Sequence, residues 1–369
     1  MNNSKTNSNK KWDCLDSTLD KFTPDQIRKS KGLKKIPTGF TELDDVLGGG
    51  IPYNSLTVLG ALPGLGKSTF MFQIAEHMAS KGVKVLIFSM EMSTEQITAK
   101  SISRETFVQN LMDESKAVKA IEFMSEKGID SIDNEKWETI NDAKKNIAEV
   151  SKNIFVSVWD KTKGNISEIV KVAKEFCESA ENKKTKKIIM IDYLQILNPE
   201  TQQISDTRQT NDVLDSIKNL LDNAPVFLIS SLNRESYDKG ANMASFKNSG
   251  NIEYTADVLL AIEFTAQNDD KKNTNFIEEQ KAKNPREVCI SVLKQRYGKT
   301  GVKINFDYYA GNDFFIQEND ELVKDNELKV VMKRKSEDNI ELQKMKELFS
   351  KLKYHDRSKK WAALIRIEW

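Results

Sequence analysis

The sequence predicts an α/β protein with a mostly parallel, twisted sheet, helices on both faces of that sheet and antiparallel strands at one edge. Short β-branched or apolar runs alternate with segments of helical periodicity through residues 36–317, which is typical of strands joined by crossover helices. The later apolar runs follow each other with little helix between them, so we expect those strands to pair antiparallel. The predicted strands are 56–59, 85–88, 154–158, 188–191, 226–229, 258–262, 288–293 and 302–306.

The composition describes a soluble chain without a global charge field. Of 369 residues, 38% are hydrophobic and 30% are charged, and 56 basic residues balance 55 acidic ones to a net charge of +1. A nucleic-acid site therefore has to be local. Three cysteines without paired or metal-type spacing and two histidines argue against a zinc site and favour a reduced, cytoplasmic setting. The polar start and the lack of a long apolar run predict neither a signal peptide nor a membrane span.

Residues 1–35 are predicted to be a polar tail that carries one short amphipathic helix. Apolar residues recur there at helical spacing until Pro24 interrupts the pattern; they are Trp12, Leu15, Leu19 and Phe22. Two interpretations stay open: the helix caps its own domain, or it docks on a neighbouring subunit.

Residues 36–317 are predicted to form one domain, because the alternation of strands and helices runs through them. Within this domain, residues 100–150 are expected to be a helical, charge-rich insertion and residues 265–287 a polar surface loop. Residues 318–369 are predicted to be a charged C-terminal tail with one amphipathic helix.

A predicted phosphate-binding loop follows the first predicted strand, residues 56–59. The segment Gly60-Ala-Leu-Pro-Gly-Leu-Gly-Lys-Ser68 leads directly into helical periodicity. Backbone N–H groups of such a loop cradle phosphate, and the helix presents the positive end of its dipole. Lys67 is expected to reach the β- and γ-phosphates and the Ser68 hydroxyl to bind Mg²⁺, so the predicted cofactors are ATP and magnesium. Ala61 replaces the usual first glycine, with Gly60 before it; the predicted nucleotide-binding residues are Ala61, Pro63, Gly64, Leu65, Gly66, Lys67, Ser68 and Thr69.

Two acidic residues complete the predicted site. Asp192 ends the apolar run 188–191, which marks a buried strand, and its carboxylate is expected to bind nucleotide by holding magnesium through water. Glu91 follows the strand 85–88 and is expected to be a buried carboxylate that orients the attacking water. The alternative is that Glu91 caps the helix that starts near Ser93.

Five segments, in order along the chain, resemble the DnaB-like replicative helicases. The resemblance extends over most of residues 37–306. The five segments are Ser89-Met-Glu-Met-Ser-Thr-Glu-Gln96, Met190-Ile-Asp-Tyr-Leu-Gln195, Ser230-Ser-Leu-Asn-Arg234, Ser249-Gly-Asn-Ile-Glu253 and Lys294-Gln-Arg-Tyr-Gly298. An earlier segment, Thr38-Gly-Phe-Thr-Glu-Leu-Asp44 with Gly48-Gly-Gly50, is shared more widely with RecA-type ATPases, including RadA-like recombination proteins. The resemblance implies a RecA-like P-loop ATPase motor domain.

The resemblance also implies roles for single residues. Glu91 matches the family's catalytic glutamate. Lys294 and Arg296 match a basic pair that, in the family, reaches the γ-phosphate bound by the next subunit, so ATP is expected between subunits. On its own, this pair would be interpreted as a solvated basic strand end.

Three departures from the family's pattern affect the prediction. Ser231 stands where the family has a glutamine that senses the γ-phosphate, and a serine is too short to do this without water. Ser245-Phe-Lys-Asn248 replaces Asp-Leu-Arg-Glu in the loop that, in the family, lines the central channel and holds single-stranded DNA. The family's N-terminal collar, which engages primase, has no counterpart in residues 1–35, and this favours docking of their helix on the adjacent subunit.

DNA contact is predicted in two loops, one after Leu197 and one within residues 237–250. Phosphate contacts dominate affinity for single strands, so the polar and basic residues of these loops are the candidates. They are Arg208, Lys247, Asn248 and Gly250. Both loops are only weakly basic, and a plain surface loop is the alternative.

The leading prediction is an ATP-dependent, ring-forming DNA helicase motor that moves on single-stranded DNA in replication. The resemblance implies a homo-oligomer, namely a hexamer, with a loader or primase as a further partner and no membrane attachment. One alternative is a RecA/RadA-like DNA-dependent ATPase that acts in recombination or helicase loading without unwinding. Another is a scaffold whose assembly is controlled by nucleotide, and Ser231 keeps this alternative open.

Overall fold

The computed structural model describes residues 15–19, 22–29, 34–159, 165–199, 206–233, 240–246, 249–266, 275–296 and 298–317. Within them the chain forms a nine-stranded sheet and a small two-stranded sheet. The strands are β1 Lys35–Ile36, β2 Ile51–Pro52, β3 Leu56–Ala61, β4 Lys84–Ser89, β5 Ile154–Val158, β6 Lys187–Asp192, β7 Val226–Ser231, β8 Val258–Phe264, β9 Arg286–Gln295, β10 Val302–Tyr309 and β11 Phe314–Gln317.

The large sheet has the order β11-β10-β9-β8-β3-β7-β6-β4-β5. The strands from β8 to β5 in this order pair parallel, and β8, β9, β10 and β11 pair antiparallel. This confirms the predicted mostly parallel sheet with an antiparallel edge. All six residues of β3 are buried, and since successive side chains point to opposite faces, both faces of the sheet are covered at its centre. The strand β11 was not predicted from the sequence.

Helices connect the parallel strands and pack against the sheet. In α4 the residues Phe70, Met71, Ile74 and Met78 are fully buried, which explains the periodicity seen after the first large strand. The helices are α1 Asp16–Leu19, α2 Pro24–Lys29, α3 Thr41–Val46, α4 Lys67–Ser80, α5 Thr94–Gln109, α6 Glu126–Asp130, α7 Asn134–Ser151, α8 Ile166–Glu178, α9 Asp206–Lys218, α10 Ser249–Thr255 and α11 Phe276–Ala282. No described helix is long and apolar enough to cross a membrane.

The segment 100–150 is the crossover between the parallel strands β4 and β5, rather than an insertion. Its helices α5 and α7 pack on each other, and α7 also contacts α4 and β5. They enclose a small core of their own, made of Ile102, Val118, Ile132, Ile140 and Ala143. The helical character of the segment was predicted, but its place as a connection between two strands of the sheet was not, because charged residues cover the exposed faces of helices whose inner faces are apolar.

The segment 265–287 is only partly a surface loop. Residues 275–287 contain α11 and the first residues of β9, and α11 contacts that strand. Gln280 in this helix is buried. The polar composition of the segment hid a helix that reaches the phosphate-binding loop, as described below.

The N-terminal segment forms α1 and α2, and Pro24 is the first residue of α2, where its missing N–H costs nothing. The apolar residues Leu15, Leu19 and Phe22 are 78%, 63% and 74% exposed. Both interpretations of this helix therefore stay predictions. Trp12 and residues 318–369 lie outside the described residues.

Candidate active site

The candidate site lies at the edge of the sheet where the parallel strands end. Ala61 at the end of β3 pairs with Ser231 at the end of β7, and Ser89 at the end of β4 pairs with Asp192 at the end of β6. The N–H of Met90 donates to the carbonyl oxygen of Asp192 at 3.0 Å. Carboxyl ends of neighbouring parallel strands thus bring together the segments that carry the phosphate loop, Glu91 and Asp192.

Two glycines give the phosphate loop its shape. Gly64 and Gly66 have φ of 84° and 81°, a region that side chains disfavour. A Cβ on Gly66 would lie 2.7 Å from Cζ of Tyr308 and 2.8 Å from Cζ of Phe315. The aromatic residues of β10 and β11 therefore pack directly beneath the loop, and α4 starts immediately after it at Lys67.

Gly60 serves packing rather than phosphate binding. It lies inside β3, and a Cβ there would be 2.5 Å from Cε1 of Phe246 and 2.6 Å from Cδ2 of Leu232. Phe246 is fully buried. The segment that precedes Lys247 is therefore packed onto the same strand that leads into the phosphate loop.

Lys67 is the first residue of α4, and its side chain reaches back to the phosphate loop. Its Nζ donates to the carbonyl oxygen of Ala61 at 3.3 Å. Burial lowers the pKa of Lys67, while the charges of Asp192 and Glu91 act in the opposite direction. The three predicted residues, from three different strand ends, are thus close together.

Asp192 and Ser68 form the part of the site that fits a divalent cation. Asp192 is 1% exposed, and burial raises its pKa to about 6, with a hydrogen bond from Ser68 acting in the opposite direction. Within the described part of the chain, the buried Oδ2 of Asp192 has no hydrogen-bond partner. A hydroxyl beside an unused carboxylate oxygen is a suitable ligand set for a hard cation that completes its shell with water and substrate phosphates.

Glu91 is exposed, so the prediction that it is buried was wrong. It follows β4 directly and precedes the helix α5. The alternative role as a helix cap is also excluded, because Ser93 is the cap: its Oγ accepts from the N–H of Gln96 at 3.3 Å, and Oε1 of Gln96 accepts from the N–H of Ser93 at 2.9 Å. The carboxylate of Glu91 therefore does not cap α5 and is accessible to solvent.

The hydroxyl of Thr69 points away from the phosphate loop. It donates to Oδ1 of Asp313 at 3.1 Å, in the turn between β10 and β11. The same carboxylate forms an ion pair with Lys100, and the carbonyl oxygen of Asp313 accepts from Nε of Arg104 at 2.8 Å. Arg104 in turn pairs with Glu76 at 2.5 Å. Thr69 thus ties the start of α4 to α5, and its predicted nucleotide contact does not involve its side chain.

Lys294 and Arg296 lie at the opposite edge of the sheet. Val258, at the start of β8, pairs with Thr57 of β3 on one side and with Gln295 of β9 on the other. The end of β9 is therefore level with the start of β3. At roughly 3.3 Å per residue, the basic pair lies about 16 Å along the sheet from the phosphate loop of its own chain. Nε of Arg296 pairs with Oδ1 of Asp257 at 2.7 Å, and Nζ of Lys294 donates to the carbonyl oxygen of Glu253 at 2.6 Å.

The predicted DNA-binding residues are described only in part. Arg208 lies exposed on α9, and Gly250 belongs to α10. Lys247 and Asn248 lie outside the described residues. The segment before them is anchored at two points: the N–H of Ala241 donates to Oε2 of Glu263 at 2.9 Å, and Phe246 packs against Gly60.

Ser231 is accompanied by a glutamine that the sequence did not single out. Oε1 of Gln195 accepts from the N–H of Ser231 at 3.1 Å, and its Nε2 donates to Oγ of Ser230 at 2.8 Å. An amide side chain therefore joins the segment after Asp192 to the end of β7. Nothing in the local sequence around Gln195 indicates this contact, since it depends on the pairing of β6 with β7.

Comparison with known proteins gives consistent matches. The family described as the DnaB-like helicase C terminal domain matches residues 35–312. The chain is 26% identical over 293 residues to the replicative DNA helicase DnaB of Helicobacter pylori strain J99, covering 77% of this chain and 56% of that protein. It is 29% identical over 300 residues to the replicative DNA helicase DnaC of Bacillus subtilis strain 168, covering 78% and 58%. The chain thus spans somewhat more than half the length of these relatives.

Solved structures share the fold. One solved ATPase domain superposes with a TM-score of 0.65 at 23% identity, covering 82% of this chain and 98% of that one. A DnaB-like replicative helicase, solved in a study of its interactions with primase, gives a TM-score of 0.64 at 22% identity, covering 82% and 67%. The predicted RecA-like fold class is confirmed by these likenesses.

Proposed function

The chain belongs to the family of the DnaB-like helicase C terminal domain, and on this premise we propose that it is the ATP-dependent motor of a ring-forming DNA helicase that moves on single-stranded DNA in replication. One observation carries the proposal. The candidate catalytic residues are divided between opposite edges of one sheet, with Lys67, Asp192 and Glu91 at one edge and Lys294 and Arg296 at the other. A complete site then requires two subunits.

Each residue of the divided site has a specific task. Lys67 neutralises the β- and γ-phosphates, and the loop from Ala61 to Thr69 binds phosphate oxygens through its backbone N–H groups. Ser68 and Asp192 would hold Mg²⁺, which when bound neutralises developing phosphate charge. Glu91 accepts a proton from the attacking water, for which its exposed position beside Lys67 is suitable. Lys294 and Arg296 of the adjacent subunit stabilise the transferred phosphoryl group.

A site divided between two subunits supports a head-to-tail assembly. A head-to-tail interface that repeats around an axis closes a ring, and we propose a hexamer. The exposed apolar residues Leu15, Leu19 and Phe22 are suited to docking on the neighbouring subunit. Single-stranded DNA would pass along Arg208, Lys247, Asn248 and Gly250, in the cytoplasm and with a loader or primase as a further partner.

Strand displacement tests this proposal directly. With ATP and Mg²⁺, the wild-type chain is expected to displace the strand of a forked DNA and to hydrolyse ATP faster when single-stranded DNA is present. Lys67→Ala removes the main side-chain partner of the β- and γ-phosphates and is expected to abolish both activities. Hydrolysis that DNA stimulates without any displacement would instead support the RecA/RadA-like alternative. Nucleotide-dependent assembly without hydrolysis would support the scaffold.

The salt dependence of DNA binding tests the proposed DNA-binding residues. If the loops contact phosphates, log Kd for a single-stranded oligonucleotide should rise with log salt, by roughly 0.7 for each neutralised phosphate. Lys247→Ala is expected to flatten this slope by about one contact for each engaged subunit. Lys145→Ala is the matched control, because Lys145 is an exposed lysine of α7 that pairs with Asp142. Equal slopes for the two variants would locate the DNA site on another surface.

A further inference from the structure

Lys281 on α11 lies against the phosphate loop. A Cβ placed on Gly64 would be 3.4 Å from both Cε and Nζ of Lys281. Gly64 belongs to the phosphate loop and has a positive φ, and loops of this kind bind anions through their backbone N–H groups. The ammonium group of a residue 217 positions later in the chain therefore lies next to the loop at its glycine.

The end of α11 is held in this place by Arg286. Its Nε donates to the carbonyl oxygen of Lys281 at 2.7 Å, and its Nη1 donates to the carbonyl oxygen of Gly64 at 2.9 Å. The guanidinium also lies 5.8 Å from the ring centroid of Tyr308, which stacks on Phe315 at 4.1 Å. Arg286 thus fixes the backbone of Lys281 to the backbone of the loop. Because this backbone is already held in place, Lys281 loses less conformational freedom on binding a ligand than a lysine on an unanchored segment would.

The charges around Lys281 favour an anion. Lys281 and Lys67 both lie beside the phosphate loop, Lys281 next to Gly64 and Lys67 with its Nζ at 3.3 Å from the carbonyl oxygen of Ala61. Among the described residues Lys281 forms no ion pair, whereas Lys283, one half-turn away, pairs with Glu287 at 3.0 Å. Two lysines that face one loop rich in backbone N–H groups repel each other until a polyanion lies between them.

We propose that Lys281 is a second lysine that binds the phosphate chain of the nucleotide, in addition to Lys67. The inference rests on the proposed function, since it assigns a further ligand contact to the same site. Lys67 follows the loop in sequence and approaches phosphate from within it, while Lys281 approaches from α11, on the far side of Gly64. The contribution of Lys281 grows with the negative charge of the ligand, so it favours nucleoside triphosphates over monophosphates.

Calorimetric titration of the full chain with ATP and with AMP tests this assignment, using Lys281→Met beside Lys281→Arg. Loss of one charge-assisted contact at a partly exposed site is expected to weaken ATP binding about tenfold. AMP binding should change less, and Lys281→Arg should retain most of the affinity for ATP. Lys283→Met is the matched control and should bind ATP as the wild type does. Thermal unfolding of each variant shows whether the fold is retained.

The outcomes separate the two proposals. ATP binding by Lys281→Met that equals the wild type, while Lys67→Ala has lost it, overturns the role of Lys281 and leaves the proposed function intact. Equal weakening for ATP and AMP also overturns it, because the lysine would then contact another part of the nucleotide. A wild-type chain that binds no ATP overturns both. Should Lys281→Met unfold, a wild-type-like ratio of ATP to AMP affinity in a folded Lys281→Gln variant overturns the assignment.

Discussion

Arg296→Ala chains are expected to bind ATP with nearly normal affinity and to hydrolyse it about 10³- to 10⁵-fold more slowly, the range for loss of an arginine finger. The reason is geometric. Arg296 follows the end of β9, level with the start of β3, whereas the phosphate loop follows the end of β3, so we propose that the arginine serves the site of the neighbouring chain. Steady-state hydrolysis and nucleotide titration measure the two effects separately. Lys299→Ala is the control, since it removes an exposed positive charge three residues away.

Mixing two inactive variants makes this prediction sharper. When Arg296→Ala chains are mixed with Glu91→Gln chains, some turnover should return. At certain interfaces of a mixed ring, an intact Glu91 from one chain meets an intact Arg296 from the other. A finger that acted within its own chain could not restore activity in this way. Failure to recover any turnover, in mixed oligomers shown to contain both chains, would refute a site shared between subunits.

Glu91→Gln is expected to leave ATP binding intact and to slow hydrolysis about 10²- to 10⁴-fold, the usual contribution of a general base. The amide keeps the shape of the side chain but cannot accept the proton of the attacking water. Because Glu91 is exposed and does not cap α5, the substitution should leave the midpoint of thermal unfolding unchanged. Glu95→Gln, four residues later on α5, is the matched control and should hydrolyse ATP normally. Near-normal turnover by Glu91→Gln would assign the base to another residue.

The central strands and the phosphate site could be predicted because they depend on local patterns. An apolar run followed by the glycine-bearing loop identifies β3 and Lys67, and an apolar run that ends in an acid identifies β6 and Asp192. Parallel pairing then brings their ends together without further information. The edge strand β11 was missed because it has only four residues and ends in a buried glutamine, Gln317.

Contacts between distant parts of the chain could not be predicted. Lys281 lies next to Gly64 and Asp313 accepts from Thr69, each across more than 200 residues of sequence, and neither belongs to a pattern that marks it. The exposure of Glu91 was predicted wrongly, because burial after a strand end depends on what packs over it. The helix 276–282 was not predicted because its residues are mostly polar or charged. Its buried residue, Gln280, is itself polar, so the sequence shows no apolar periodicity there.

The strand β3 connects the phosphate loop with the ion pair between Asp257 and Arg296. Its last residue leads into the phosphate loop, and at its first residue the N–H of Leu56 donates to Oδ2 of Asp257 at 2.8 Å. The other oxygen of that carboxylate pairs with Arg296, which we propose serves the neighbouring site. A strand hydrogen-bonded on both sides resists bending, so β3 would transmit a displacement of the loop to Asp257 and Arg296. In a ring, β3, which is about 16 Å long, would then couple the nucleotide site of each subunit to the nucleotide site of the next subunit.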